Sequence, residues 1–347
     1  MNLFDYTRPA SVEEALAAWS PDAAWLGGGT NLVDLMKVGV VQPGKLIDLT
    51  RLPGLDRIET LPDGSTRIGA MVRNADLAHD AGFAATFPMV AEALLSGASG
   101  QLRNAATVGG NLMQRTRCAY FADPHSACNR RIPGAGCDAV GGDTGGMAVL
   151  GWSQSCIATN PSDFCVALAA LDAVVEVQGP SGKRDIAFAD FHLLPGDTPQ
   201  QETALRPGEL ILAIRLPAEA AVFKANSRYM KLRERTSFAF ALVSAAAALQ
   251  LEGGRIVAAR LALGAVAAKP WRVASAEALM IGQAPDAALF ARAAAEAMSG
   301  AAPSGDNTHK IELARRIAVR ALTLAAAGTP QHMPALPASV FGEPAHV

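Results

Sequence analysis

Four of the five cysteines in this chain of 347 residues fall between positions 118 and 156, and cysteine thiolates are ligands for zinc and iron–sulfur clusters. The four are Cys118, Cys128, Cys137 and Cys156. Their separations of 10, 9 and 19 residues differ from the paired C-x2-C spacing of zinc ribbons and bacterial ferredoxins. From the residues alone an iron–sulfur cluster is favoured, while zinc, disulfides and a chance group of free thiols stay open.

The segment around these cysteines, about residues 115–160, is rich in Gly, Pro and Arg and has no apolar periodicity. A loop of this length inside a compact domain is normally functional. Positive charge lowers thiol pKa values and offsets the negative charge of a four-thiolate cluster. The arginines predicted to do so are Arg115, Arg117, Arg130 and Arg131. The fifth cysteine, Cys165, lies in an apolar helical pattern and is predicted to be a buried core residue.

Two glycine-rich turns are candidate phosphate-binding loops, Gly-Gly-Gly-Thr-Asn at 27–31 and Thr-Val-Gly-Gly-Asn-Leu at 107–112. Backbone N–H groups in such turns approach a pyrophosphate closely, and Thr30 and Asn31 add side-chain donors. The spacing is neither that of the Rossmann fingerprint nor that of a P-loop. Either turn alone also fits a simple tight turn. Together they predict two loops that hold the two ends of one dinucleotide.

The elements predicted around these loops are a strand at 23–26 before the first loop and a helical turn at 32–37 after it. Ser11 and Glu14 form a capping box at the start of a helix over 11–19. From about residue 222 the pattern predicts an α+β terminal domain, and the Pro-rich stretch from 328 predicts a loose tail. The other predicted helices are 87–95, 162–171, 286–298 and 309–326, and the other predicted strands are 45–49, 66–71, 173–177, 210–217, 229–233, 239–251 and 255–266.

Composition excludes several classes of function. Half of the residues are apolar and the net charge is −2, which provides no basic surface for nucleic acid. No apolar run approaches the roughly 20 residues that span a bilayer. The first six residues lack a basic stretch followed by an apolar one, so we expect no signal peptide. Neither a Ser/His/Asp set nor a carboxylate pair indicates an independent hydrolase.

Several ordered motifs together resemble the flavin subunit of the molybdenum hydroxylases, the family of xanthine dehydrogenase and carbon monoxide dehydrogenase. The resemblance covers about residues 1–326. The motifs lie at 24–37, 106–112, 157–163, 206–211, 231–233 and 264–272. It implies an α+β fold, in which a vanillyl-alcohol-oxidase (PCMH) type FAD-binding fold precedes a C-terminal domain like that of the carbon monoxide dehydrogenase flavoprotein. The expected divisions are FAD subdomain 1 at 1–55, FAD subdomain 2 at 56–218 with a cluster loop at about 115–160, the C-terminal domain at 222–327, and a tail at 328–347.

The same resemblance implies which residues contact FAD. Those in the first loop are Leu26, Gly27, Gly28, Gly29, Thr30, Asn31, Leu32, Val33 and Asp34. Those elsewhere are Thr107, Gly110, Asn111, Asp163, Ile211 and Lys231.

The cysteine loop resembles an insertion found in two subgroups of the family, bacterial aldehyde oxidoreductases that act on aromatic aldehydes and 4-hydroxybenzoyl-CoA reductases. In both, the loop holds an additional [4Fe–4S] cluster. The run Cys-Asn-Arg-Arg-Ile-Pro-Gly-Ala-Gly-Cys at 128–137 looks closer to the aldehyde oxidoreductases. The resemblance therefore implies that Cys118, Cys128, Cys137 and Cys156 are the cluster ligands.

The function implied is an FAD and [4Fe–4S] electron-transfer subunit of a heterotrimeric molybdenum-containing aldehyde oxidoreductase. Its expected partners are a large subunit with the molybdenum cofactor and a small subunit with [2Fe–2S] clusters. The expected external electron acceptor is oxygen, a quinone or ferredoxin, and no residue of this chain is expected to be catalytic. The alternatives are a 4-hydroxybenzoyl-CoA reductase-like or other molybdenum hydroxylase subunit, a self-contained flavin oxidase, and a zinc-containing assembly protein. The compartment stays open between the cytoplasm and a periplasm reached by export with a partner.

Overall fold

The computed structural model describes residues 1–331, and it begins with a small parallel sheet in the strand order β1-β3-β2. The N-cap half of the predicted capping box is confirmed, because Ser11 Oγ accepts from the Glu14 N–H at 3.1 Å. Glu14 accepts from the Ala10 N–H at 2.8 Å, one residue before the Ser11 N–H that a capping box uses. Most of the predicted tail, from residue 332 on, lies outside the described residues. The elements here are β1 (Asp5–Thr7), α1 (Val12–Ala18), β2 (Ala23–Leu26), α2 (Leu32–Lys37) and β3 (Lys45–Asp48).

A five-stranded antiparallel sheet follows, in the order β4-β5-β8-β6-β7. Its strands are β4 (Ile58–Thr60), β5 (Thr66–Gly69), β6 (Val174–Gly179), β7 (Gly182–Ala187) and β8 (Leu210–Leu216). The helices between and after these strands are α3 (Asn74–His79), α4 (Ala81–Thr86), α5 (Pro88–Ser96), α6 (Gly100–Ala105), α7 (Val108–Leu112), α8 (Ala119–Ala122), α9 (Asp163–Ala170) and α10 (Phe188–Phe191).

Helices α5 and α9 are buried along their whole length. Both sequences are apolar on nearly every side, and a helix of that kind belongs in a core rather than on a surface. Cys165 is fully buried within α9, which confirms the prediction that it is a core residue. Burial raises the pKa of this thiol to about 12, so it stays protonated and unreactive.

The C-terminal part is a four-stranded antiparallel sheet, in the order β12-β11-β10-β9, covered by helices. A 3-10 helix (Ala218–Ala225) leads into it. The strands are β9 (Ser227–Leu232), β10 (Val243–Glu252), β11 (Arg255–Gly264) and β12 (Trp271–Arg272), and the helices are α11 (Ala274–Ala278), α12 (Ala287–Ala297) and α13 (His309–Ala326).

Strand β10 separates two hydrophobic cores. Ala246 and Ala248 pack into the core that contains α5 and α9, whereas Ala245 and Ala247 pack into the core beneath α12 and α13. Successive side chains of a strand point to opposite faces, so one strand contributes to both cores. Small alanine side chains allow α9 to approach this sheet closely, and the C-terminal sheet therefore packs against the domain that contains α5 and α9.

The cysteine segment runs between α7 and α9, and α8 is its one regular helix. Its far end is fastened to the C-terminal helices. Lys310 Nζ donates to the carbonyl oxygens of Gly146 and Met147, both at 2.8 Å, and to that of Ala265 at 2.7 Å. Asn307 Nδ2 donates to the carbonyls of Met147 and Ala148 at 3.1 and 3.2 Å.

Candidate functional site

A cleft of about 350 Å³ lies where the two glycine-rich loops meet helices α6 and α9 and strand β9. That volume is typical of a cofactor or ligand site. The sequence-predicted residues that line it are Gly27, Gly28, Gly29, Thr30, Asn31, Leu32, Thr107, Gly110, Asn111, Asp163 and Lys231. The predicted residues outside its lining are Leu26, Val33, Asp34 and Ile211. The structure therefore brings both loops to one cleft.

The first loop packs so closely against the end of α6 and the start of the second loop that side chains are excluded between them. A Cβ atom on Gly28 would lie 1.9 Å from the backbone oxygen of Ala105, and one on Gly27 would lie 2.8 Å from Thr107 Oγ1. The second loop is a short helix rather than the predicted turn, because Thr107 Oγ1 caps it by accepting from the Gly110 N–H at 3.2 Å. In the first loop, the backbone N–H groups of residues 27–31 have no acceptor among the described residues, and they form the cradle that a pyrophosphate needs. In the second loop, the N–H groups of residues 108–111 already donate to acceptors within the chain.

The Asn31 amide has an unpaired donor in the lining of the cleft. Its Oδ1 accepts from the Arg115 N–H at 2.8 Å, which fixes the orientation of the amide. Its Nδ2 is buried and has no hydrogen-bond partner among the described residues. A buried donor without an acceptor costs about 1–3 kcal/mol. Because Asn31 lines the cleft, an acceptor oxygen of a bound cofactor would remove that cost, and the residues present fit a dinucleotide such as FAD.

A charged pair from two domains forms the opposite wall of the cleft. Lys231 Nζ on β9 donates to Asp163 Oδ2 at 2.8 Å and to the Ser96 carbonyl at 3.1 Å. Tyr229 OH donates to Asp163 Oδ1 at 2.6 Å. Asp163 begins α9, where a carboxylate is also favoured by the helix dipole. The carboxylate is thus satisfied on both oxygens and holds the lysine at the cleft.

Arg103, Phe238 and Phe240 are among the lining residues that were not identified from the sequence. Arg103 is buried and donates to the carbonyl oxygens of Gly97 at 2.7 Å and Leu95 at 3.3 Å. Phe238 and Phe240 come from the segment between β9 and β10 and are about half exposed. The Arg117 guanidinium lies over the Phe240 ring at 4.7 Å. Aromatic residues after a strand carry no sequence signal for this position, because the contact crosses two domains.

The four clustered cysteines line one cavity, together with Phe121 and Arg130. Cys118 starts α8, Cys128 and Cys137 face each other through an isolated backbone bridge, and Cys156 pairs with Ser153. All five cysteines of the chain are free thiols. Within residues 1–331, no three His, Cys, Asp or Glu side chains are grouped so that they could hold a metal ion. The four clustered cysteines nevertheless share the lining of this one cavity.

The arginines near these cysteines have different roles. Arg130 Nη2 donates to Cys156 Sγ at 3.5 Å, whereas Arg131 donates to the carbonyls of Tyr120 and Phe121. Burial outweighs positive charge at the thiols, since it raises the pKa of Cys118 to about 11 and raises the pKa of Cys137. The expected lowering of these pKa values is wrong for the free thiols, and a metal must displace their protons on binding.

A second cavity of about 180 Å³ borders both sites. It shares Arg115 with the cleft and Thr116 and Arg130 with the cysteine cavity. Glu202 and the buried His192 complete its polar wall. His192 Nε2 donates to the Leu112 carbonyl at 2.9 Å, and burial lowers the pKa of this ring to about 4, so it is neutral at pH 7. Neither Glu202 nor His192 stood out in the sequence, because each is far along the chain from its partners.

The fold and this cleft define a flavin-binding class of protein, and comparison with protein-family models agrees. Residues 2–219 match the FAD binding domain in molybdopterin dehydrogenase, and residues 228–326 match the CO dehydrogenase flavoprotein C-terminal domain. The chain belongs to the FAD-binding medium subunits of the molybdenum hydroxylase family, and it is an oxidoreductase subunit. The predicted α+β fold is confirmed.

Named relatives span nearly the whole chain. The aldehyde oxidoreductase FAD-binding subunit PaoB of Escherichia coli (strain K12) is 49% identical over 321 residues, which are 91% of this chain and 96% of that protein. The carbon monoxide dehydrogenase medium chain of Afipia carboxidovorans is 28% identical, with coverage of 91% and 92% respectively. Among solved structures, reconstituted CO dehydrogenase from Oligotropha carboxidovorans has a TM-score of 0.75 at 27% identity, with coverage of 94% of this chain and 99% of that one.

No helix within residues 1–331 is both long and apolar enough to cross a membrane.

Proposed function

We propose that this chain is the FAD- and [4Fe–4S]-binding electron-transfer subunit of a heterotrimeric, molybdenum-containing aldehyde oxidoreductase. In that role it passes electrons from the [2Fe–2S] centres of a small subunit to an external acceptor, which is oxygen, a quinone or ferredoxin. A large subunit with the molybdenum cofactor carries the aldehyde chemistry. The observation that carries the proposal is the 49% identity to a protein named an aldehyde oxidoreductase FAD-binding subunit.

The cleft supports the flavin part of the proposal. The first glycine-rich loop would hold the FAD pyrophosphate through its backbone N–H groups, and Asn31 Nδ2 in that loop is a buried donor without a partner among the described residues. Bound FAD supplies exchange between one-electron and two-electron carriers. The chain itself orients the cofactor and fixes a charged pair, Asp163 and Lys231, beside it. No side chain of this chain needs to accept a proton from an aldehyde.

The cysteine cavity supports the cluster part. Four thiols from separate turns of the chain face one space, and no fifth ligand type competes among the lining residues. The buried Arg130 in the same lining donates to Cys156 Sγ at 3.5 Å, and its positive charge offsets the negative charge of a four-thiolate cluster.

The alternatives differ in what they leave unexplained. A 4-hydroxybenzoyl-CoA reductase-like subunit would have the same cofactors and differs in its partner and in the direction of electron flow. A zinc-containing assembly protein would have no use for the flavin cleft. A self-contained flavin oxidase needs its own substrate base, and the one carboxylate in the described lining of the cleft, Asp163, is occupied by Lys231 and Tyr229.

The test is anaerobic purification of the full chain with its co-expressed partner subunits, followed by quantitation of FAD, iron and zinc in this subunit. One FAD and about four irons per chain are expected. Cys128→Ser should lose iron and keep FAD, while Cys165→Ser, in the core of α9, should keep both. FAD with zinc, or iron retained in Cys128→Ser, would overturn the cluster, and absence of FAD would overturn the whole proposal.

A further inference from the structure

Three charged side chains form a continuous link between the flavin cleft and the cysteine cavity. Arg115 lines the cleft, and its backbone N–H donates to Asn31 Oδ1 at 2.8 Å. Its guanidinium pairs with Glu202 Oε1. The other oxygen of Glu202 lies 2.9 Å from Arg130 Nη1, and Arg130 Nη2 donates to Cys156 Sγ at 3.5 Å.

Burial makes the charges in this link effective. The Arg130 side chain is 6% exposed and Glu202 is 17% exposed, so water screens them weakly. Glu202 is the one carboxylate paired with Arg115 or Arg130 in the described chain. Two cations and one anion leave a net positive charge, and the guanidinium nearest the thiols belongs to Arg130.

We infer that Arg130 is a positioning residue that raises the reduction potential of the four-thiolate cluster, and that Glu202 opposes it. The inference rests on the cluster of the proposed function. A cluster becomes more negative when it gains an electron, so an adjacent cation and an N–H donor to sulfur stabilise the reduced form. A carboxylate at the far side of the same guanidinium weakens that effect. Arg130 acts through charge and a hydrogen bond to Cys156, not as a ligand.

Opposite shifts are the signature of this arrangement. Arg130→Gln should lower the equilibrium constant for one-electron reduction of the cluster about tenfold, which is about 59 mV toward more negative potential. Glu202→Gln should shift the potential in the positive direction. Arg130→Lys retains the charge and should shift it least. A role limited to holding the loop together would not give opposite signs, because both substitutions break the same ion pair.

The measurement is an anaerobic redox titration of the purified complex, followed by electron paramagnetic resonance, with iron content determined for every variant. Comparison with Cys128→Ser identifies the signal of this chain's cluster. The internal control is the reduction potential of the flavin in Arg130→Gln, which should change little because Arg130 does not line the cleft. Native chain with no iron would overturn the proposed cluster and this inference together. If the native chain has four irons, but the reduction potential is unchanged in the two variants or shifts in the same direction in both, this inference alone is overturned. If Arg130→Gln loses its iron, the reduction potential of the cluster in Glu202→Gln tests the inference. A potential that is lower than or equal to that of the native protein would contradict it.

Discussion

Lys231 and Asp163 approach to 2.8 Å, although one belongs to the C-terminal sheet and the other to the first turn of α9. Their side chains are 4% and 8% exposed. The pair therefore joins the two domains inside the wall of the flavin cleft, where water is largely excluded. A mutation at either residue changes both the attachment of the domains and the electrostatics of the cofactor site.

Removing both members of this pair should cost less than the sum of the two single removals. Asp163→Ala leaves a buried ammonium uncompensated and Tyr229 without its acceptor, so we expect the free energy of unfolding to fall by about 3–5 kcal/mol. Lys231→Met leaves the carboxylate one partner. The double variant should lose less than the sum, with a coupling of about 1–3 kcal/mol in urea unfolding.

The exposed pair Arg316 and Glu312, one helical turn apart on α13, is the control for this cycle. Its coupling should be below about 0.5 kcal/mol. Equal coupling for the two pairs would show that burial at the cleft gives the Lys231–Asp163 pair no special strength.

Gly28→Ala should prevent FAD retention. The added methyl group would lie 1.9 Å from the Ala105 oxygen, which is backbone and has no rotamer to change. The two loops must separate, and the N–H groups that approach the pyrophosphate separate with them. Gly100→Ala is the matched control, because nothing lies within 4 Å of its added Cβ. FAD content per chain and the dissociation constant measured by flavin fluorescence distinguish the two, and normal binding by Gly28→Ala would contradict the loop arrangement.

His192 should make the protein less stable in weak acid. Its pKa is lowered to about 4 in the folded chain from an ordinary value of 6.5, because burial disfavours the charged ring. Between these values the unfolded chain binds more protons, so stability is lost as the pH falls from 6.5 to 4, by up to about 3 kcal/mol. His192→Gln retains a donor for the Leu112 carbonyl and removes the titration. Urea unfolding at several pH values should show a flatter acid limb for this variant; a slope equal to that of the native chain would assign the pH dependence to other groups.

Lys310→Met should release the end of the cysteine segment. Burial lowers the pKa of Lys310 to about 8, so its ammonium is still charged at pH 7 and donates to three carbonyls. Losing those hydrogen bonds leaves buried acceptors unpaired, at a cost of about 3 kcal/mol. Hydrogen exchange at the amides of Ala148 and Val149, and iron content, report the release. The control is Lys37→Met at an exposed position of α2, and equal protection in both variants would contradict the role of Lys310.

The parts of this molecule that sequence reasoning predicted well are those determined by local pattern. Ser11 caps α1 as predicted, and the predicted apolar helices α5 and α9 are buried. The two glycine-rich loops line one cleft and the four clustered cysteines line one cavity. Both sets could be recognised from composition alone.

Contacts between distant positions were not predictable in the same way. Glu202 pairs with Arg115 across 87 positions of sequence, and its own neighbourhood carries no motif. The short helices α3, α4 and α6 were missed because six residues hold too little periodicity to distinguish a helix from a turn. The pKa values of Cys118 and Cys137 are raised rather than lowered, because burial depth cannot be inferred from the count of nearby arginines.

The fastening of the cysteine segment by α13 has a consequence for the order of events during synthesis. Lys310 reaches the Gly146 carbonyl across 164 positions, so the segment that carries the cysteines leaves the ribosome well before the helix that anchors it. Domains form from the amino terminus as the chain emerges. Until α13 has been synthesised, the cysteine segment lacks the hydrogen bonds from Lys310 that anchor its end. Insertion of the proposed cluster is therefore expected after α13 has been synthesised.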